Sequence, residues 1–186
     1  MIDSLISSYN FKEALEEIKR LEEIPTLSEN QFAYLMSKKA LILTRLGFFE
    51  EAISLAHHTI NLFGETILSL EEKYNLHFLI IESLWQSGQF EESLLMIERI
   101  ENKIKFDQSN LNTELKQRID ALLLLNKSSI YCFIDLKKSS ELIDKTLEFT
   151  EEIDNEILLA QSLTRKGKIL TYQGKLIEAV NVREKS

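Results

Sequence analysis

One phrase of six residues recurs along this chain, and its spacing limits the fold more than any other feature. In the clearest copies a Gly is followed two positions later by an aromatic residue or Leu, and three positions after that by a small residue. The five copies end at Ala14, Ala52, Ser93, Ser139 and Ala179, so successive intervals are 38, 41, 46 and 40 residues. Each interval has the length of a helix, a turn and a second helix, which predicts a chain built from helix pairs.

The residue types in the phrase suit the turn inside such a pair. Gly47, Gly88 and Gly174 are predicted to end the first helix in a left-handed conformation, which costs other residues energy. The small residue lets the two helices approach closely. Ile97 and Leu55 then follow as core positions of amphipathic second helices. First helices are predicted near residues 28–46, 69–87, 111–133 and 155–173; Ser28 with Gln31 and Ser69 with Glu72 have the spacing of a capping box at the starts of two of them.

Composition agrees with an all-α fold and narrows the partners. The chain has one Pro and five Gly in 186 residues, which favours long helices joined by short turns. The net charge of −8 argues against a nucleic-acid partner, because affinity for a phosphate backbone comes mainly from Lys and Arg. Residues from Ala160 onward are nevertheless basic, with six Lys or Arg against two Asp or Glu. This basic end either attracts an acidic ligand or balances helix dipoles.

The order of small and large residues resembles the tetratricopeptide repeat (TPR) family. The matching positions are Ala40, Leu43, Gly47, Phe49 and Ala52 in the second repeat and Leu163, Gly167, Leu170, Gly174, Leu176 and Ala179 in the last. The units, at about 40 residues, exceed that family's usual length of about 34. Ile81 and Lys127 also replace its small first-helix residue in the third and fourth repeats. The resemblance implies a right-handed solenoid of about five antiparallel helix pairs.

The whole chain, 1–186, is expected to form a single helical repeat domain. Its repeats are predicted at about 1–25, 28–64, 66–106, 109–152 and 153–186. The last helix carries an apolar stripe including Leu176, Ile177 and Val180, with nothing after it in the sequence to bury the stripe. We therefore expect the chain to be part of a longer protein, or to form a homodimer through a terminal helix pair.

In the TPR family the first helices line a concave groove that binds ligands, so the resemblance implies where a partner would bind. Counting back from each phrase gives the candidates Tyr34, Ser37, Leu41, Asn75, Phe78, Glu82, Trp85, Tyr131 and Tyr172, with the cations Arg165 and Lys168. Aromatic residues are enriched where binding energy concentrates. The alternative for Trp85 and Phe78 is packing inside the long repeats.

The sequence contains no arrangement of residues that is typical of a catalytic site. His57 and His58 are adjacent and point about 100 degrees apart on a helix, so they cannot share a metal. The carboxylate pairs Glu50-Glu51 and Glu91-Glu92 fall in first turns of second helices, where negative charge offsets the helix dipole. No Gly-rich phosphate loop or nucleophile elbow is present. We expect no enzymatic activity, no catalytic residues, no cofactor and no metal.

Localisation and function follow from these patterns as expectations. The single Cys132 fits a reducing compartment, and no secretory signal or membrane-spanning run is visible, so we expect a cytoplasmic protein with no membrane contact. The leading hypothesis is a protein–protein interaction scaffold that binds a peptide or helix of a partner in the groove. The alternative is a regulatory or oligomerisation module of a larger signalling protein.

Overall fold

The computed structural model describes residues 1–106 and 111–184, except for the side chain of Phe106. Within these ranges the chain forms ten helices and no strand. None of these helices is long and apolar enough to cross a membrane. The chain divides into two compact units, an N-terminal unit, Met1–Gln89, and a C-terminal unit, Phe90–Ser186. The predicted repeat boundaries at residues 109 and 186 lie outside the described residues, and the single domain stays a prediction.

Each unit contains five helices within its described residues. In both units, each helix contacts the one that follows it, and α3 also contacts α5 as α7 contacts α9. The N-terminal unit contains α1 (Ile2–Ser7), α2 (Phe11–Glu22), α3 (Glu29–Leu46), α4 (Phe49–Phe63) and α5 (Leu70–Gln86). The C-terminal unit contains α6 (Phe90–Phe106), α7 (Thr113–Ile134), α8 (Leu136–Glu152), α9 (Glu156–Tyr172) and α10 (Leu176–Arg183).

The turn inside four of the five described pairs contains a residue in the left-handed conformation. Gly47, Gly88 and Gly174 have φ angles of 85°, 87° and 76°, which confirms the conformation predicted for them. Tyr9 stands at the same position of the phrase and has a φ of 60°, although a side chain is costly there. The fourth pair has no such residue: Asp135 alone separates α7 from α8, and its carboxylate accepts a hydrogen bond of 3.0 Å from the backbone N–H of Lys138.

Capping boxes begin α3 and α5, as predicted. The backbone N–H of Gln31 donates to Ser28 Oγ at 3.3 Å, and the N–H of Ser28 donates to Gln31 Oε1 at 2.9 Å. Glu72 and Ser69 make the equivalent bonds at 3.2 Å and 2.8 Å. Both boxes satisfy backbone donors that the first turn would otherwise leave unpaired, so these two helix starts are fixed locally.

The small residue that ends each phrase is buried in all five copies. Ala14, Ala52, Ser93, Ser139 and Ala179 are between 0% and 3% exposed. Ser139 also donates a 2.7 Å hydrogen bond to the carbonyl of Ser128, which joins α8 to α7. The burial of all five positions agrees with the prediction that paired helices meet there, and the Ser139–Ser128 bond shows it for the fourth pair.

Each unit has its own apolar core. In the N-terminal unit Ile2, Ala14, Ile18, Leu35 and Ile42 pack together, and in the C-terminal unit Leu125, Ile143 and Ile169 do so. Ile97 is fully buried, as predicted for a second helix. The same prediction was wrong for Leu55, which is only half-buried because its side chain lines an open cleft.

Candidate functional site

The predicted groove residues all lie on first helices of the pairs. Tyr34, Ser37 and Leu41 are on α3 and Asn75, Phe78, Glu82 and Trp85 on α5, in the N-terminal unit; Tyr131 is on α7 and Arg165, Lys168 and Tyr172 on α9, in the C-terminal unit. Their exposure differs strongly. Whether they bind a ligand stays a prediction.

On α3, the side chains of Tyr34 and Lys38 both contact Asp3 of α1. The Tyr34 hydroxyl donates to Asp3 at 2.7 Å, and Lys38 Nζ lies 2.6 Å from the other oxygen of that carboxylate and 5.2 Å from the centre of the Tyr34 ring. The hydrogen bonds from Lys38 and Tyr34 hold the pKa of Asp3 below its usual value. Burial, together with the bond to Asp3, raises the pKa of Tyr34 to about 12. A ligand over this part of α3 would therefore contact α1 as well.

On α5, the two aromatic candidates are buried. Phe78 and Trp85 are 8% and 9% exposed, so their rings pack inside the protein and offer little surface to a ligand. Asn75 is exposed, and the half-buried Glu82 forms an ion pair with Arg45 of α3. The accessible candidates on this helix are polar, and an aromatic binding surface does not form there.

On α7, Tyr131 is half-buried against the start of α8. The ammonium group of Lys138 lies 3.8 Å from the centre of the Tyr131 ring, a cation–π contact between the two helices. The next residue, Cys132, has a free thiol whose pKa is raised by burial, while a hydrogen bond with Ser139 and the charges of Arg165 and Lys168 act in the opposite direction. The cations of α9 are therefore close to the C-terminal end of α7.

An exposed aromatic cluster lies where α6, α7 and α9 meet. The rings of Phe90 and Phe133 stack with centroids 5.5 Å apart, and the Phe133 and Tyr172 centroids are 6.3 Å apart. Phe133 is 54% exposed and Tyr172 61%. Sequence reasoning identified Tyr172 but missed Phe133, because the fourth repeat lacks the Gly from which groove positions were counted. Its position two residues before Asp135, at the end of a long apolar helix, was the available signal.

A cleft of about 680 Å³ lies in the N-terminal unit. It was not predicted. Its walls come from α3 and α4: Lys39, Leu43, Glu50, Glu51, Ser54, Leu55 and His58. Lys39 Nζ donates hydrogen bonds to both carboxylate oxygens of Glu22 on α2, at 2.9 and 2.8 Å. Glu50 and Glu51 are exposed in the first turn of α4, as expected for residues that offset the helix dipole.

No group of three or more His, Cys, Asp or Glu side chains in the described ranges could hold a metal ion. The expectations of no metal, no cofactor and no catalysis stay predictions.

No protein-family model matches the sequence, and no curated protein matches it. Solved structures do. A Rap protein complexed with Competence and Sporulation Factor superposes with a TM-score of 0.76 at 16% identity, over 99% of this chain and 50% of that one. PlcR from Bacillus thuringiensis, in complex with the peptide PapR7 and DNA, gives 0.75 at 14% identity, over 98% of this chain and 65% of that one.

TPR-like repeats are named in a third similar structure, a putative kinesin light chain from Podosopora anserina, with a TM-score of 0.60 at 14% identity. It covers 99% of this chain and 88% of that one. The chain thus spans half to two thirds of the length of the Rap and PlcR chains, and the DNA belongs to the PlcR complex alone. At these identities the similarity concerns the fold. The predicted all-helical architecture is confirmed, and the chain has the TPR-like helical-repeat fold.

Proposed function

We propose that this chain is a protein–protein interaction scaffold whose first helices hold a peptide or helix of a partner protein, and that it is not an enzyme. The observation that carries the proposal is the fold, since PlcR, which superposes over 98% of the chain, is in complex with a peptide. Exposed aromatic rings on α7 and α9 add support, because such rings bury much area at little entropic cost. The cytoplasmic location is part of the proposal, and the free Cys132 thiol agrees with a reducing compartment.

Site-specific photo-crosslinking tests which helices meet the partner. A crosslinking amino acid at Asn75 or Tyr172, both exposed on first helices, is expected to capture the same partner protein from a lysate of the source cells. The matched controls are His57 and Leu95, which are also exposed but lie on second helices and should capture none of it. Capture of one partner with equal yield from all four positions would remove the first helices as the binding face.

Self-association through α10 is the second candidate function, in line with an oligomerisation module. On this helix Leu176, Ile177 and Val180 are 62%, 80% and 57% exposed. Ile177 occupies the position of the phrase held by Glu50 and Glu91 in two other copies, so an apolar side chain replaces a charged one. An apolar face of this kind favours pairing with a second copy of itself.

The change Ile177→Glu restores the residue type of the other copies and tests this candidate. In sedimentation velocity we expect the unaltered chain to shift from monomer to dimer as its concentration rises, and Ile177→Glu to stay monomeric because its charge would have to be buried. Leu95→Glu, which alters an exposed apolar residue on α6, should leave dimerisation unchanged. A monomer at every concentration of the unaltered chain would contradict this candidate.

A further inference from the structure

Three side chains of α9 form a stripe along one face of the helix. The proposed function does not say what kind of partner this stripe would bind. Arg165, Lys168 and Tyr172 are spaced i, i+3 and i+7, which puts them on one face of a helix. Lys168 and Tyr172 are exposed, and Arg165 is half-buried. The helix thus presents two cations and an aromatic ring in a row.

The end of α7 completes this surface. The Phe133 ring lies 6.3 Å from the Tyr172 ring, and the charges of Arg165 and Lys168 reach Cys132, the neighbour of Phe133. We call these four residues, Phe133, Tyr172, Arg165 and Lys168, the α7–α9 patch. It combines an exposed aromatic pair with two positive charges inside the C-terminal unit.

Negative charge is missing from both helices at this patch. No Asp or Glu occurs from Ile157 to Lys175 or from Ala121 to Ile134, and Asp135, which follows α7 directly, uses its carboxylate to cap the start of α8. The patch is therefore a locally basic surface on a chain whose net charge is −8.

We propose that the segment bound at the α7–α9 patch is an acidic peptide that carries an aromatic or large aliphatic residue. Its carboxylates lie against Arg165 and Lys168, and its apolar side chain packs on the Phe133–Tyr172 pair. This inference rests on the proposed function and names the chemistry of the partner.

Two physical reasons favour this partner. Charge-assisted bonds from guanidinium and ammonium groups to carboxylates are stronger than neutral ones, and guanidinium binds a carboxylate with two parallel bonds. The acidic remainder of the chain repels an anionic peptide elsewhere, so the positive field of α9 directs it to the patch. A basic peptide would instead be repelled by Arg165 and Lys168. A nucleic acid is disfavoured, because a polyanion would meet the net negative charge over a longer surface.

Fluorescence anisotropy with synthetic peptides tests the inference. The probe is a fluorescein-labelled decapeptide of Glu and Ser with one central Phe. Two comparison peptides replace its Glu by Lys or its Phe by Ser, and a labelled single-stranded oligothymidylate of similar length is the nucleic-acid probe. We expect the acidic Phe peptide to bind most tightly, and its affinity to fall as salt is added.

The decisive variant is Arg165→Gln/Lys168→Gln, with Lys137→Gln/Lys145→Gln as the matched control. The control removes the same charge from exposed positions of α8 in the same unit. We expect the first variant to lose about tenfold or more in affinity for the acidic peptide, and the control to keep it. Tyr172→Ser should reduce the advantage of the Phe peptide over the Ser peptide, and circular dichroism establishes that each variant is folded.

Three results would overturn the inference: equal loss in the two double variants, tighter binding of the Lys peptide, or tighter binding of the oligonucleotide. If crosslinking still captures one partner from first helices only, the proposed function survives and only the acidic chemistry is wrong. If crosslinking from the first helices also captures no partner, both the acidic chemistry and the proposed function are wrong.

Discussion

Truncating Ile143 to Ala is expected to lower the free energy of unfolding by about 2–5 kcal/mol. Ile143 lies on α8, is fully buried, and packs with Leu125 of α7 and Ile169 of α9. The truncation removes apolar contacts with two neighbouring helices at once and leaves a cavity that rigid helices cannot fill by relaxing. Urea unfolding followed by circular dichroism measures the change as a lower midpoint at an unchanged slope.

The control for this prediction is Leu95→Ala on α6 of the same unit. Leu95 is 54% exposed, so its truncation should change the unfolding free energy by less than about 0.5 kcal/mol. Similar losses from Ile143→Ala and Leu95→Ala would mean that Ile143 is not the core residue that the structure indicates.

Removing the Thr44 hydroxyl with Thr44→Val should cost about 1–3 kcal/mol of unfolding free energy. Thr44 Oγ1 donates to the carbonyl of Ala40 at 3.0 Å and lies 3.0 Å from Ser83 Oγ, with both side chains buried. A hydroxyl has one hydrogen, so Ser83 is the donor in the bond between α3 and α5. In Thr44→Val its hydroxyl loses that acceptor inside the N-terminal unit.

A double-mutant cycle isolates this bond. Adding Ser83→Ala to Thr44→Val removes the polar group left without its acceptor, so the double variant should recover part of the stability lost in Thr44→Val. Unfolding free energies from urea titration of the four proteins give the coupling. Strictly additive losses would show that the two hydroxyls do not stabilise each other.

The sequence was sufficient to predict the helix pairs because each pair is specified by local chemistry. Gly47 and Gly174 adopt positive φ angles for steric reasons that act within one turn, and the capping boxes at Ser28 and Ser69 satisfy their own helix starts. The residue at which a helix begins or ends at such a turn or capping box therefore does not depend on residues far away in the sequence. Tyr9 adopts the same conformation without being Gly, and backbone hydrogen bonds from the N–H of Tyr9 to Ile6 and from the N–H of Asn10 to Leu5 close this turn despite the preference of its side chain.

The candidate site was harder to predict, because exposure depends on which helices pack together. Trp85 and Phe133 both stand near the ends of first helices, yet Trp85 is 9% exposed and Phe133 54%. The helix period predicts the direction in which each side chain points, but it does not predict whether another helix covers that side chain. Counting from a Gly had no reference point in the fourth repeat, where Asp135 alone separates α7 from α8.

The contacts within each unit also bear on how fast the chain folds. Within the described ranges every helix packs against the one before or after it in sequence, apart from the α3–α5 and α7–α9 contacts, which skip one helix. Loops that must close to form such contacts are short, and the entropy lost in closing them is small. Each unit is therefore expected to fold at the rapid end of the range for domains of its size, with the rate set by pairing of adjacent helices.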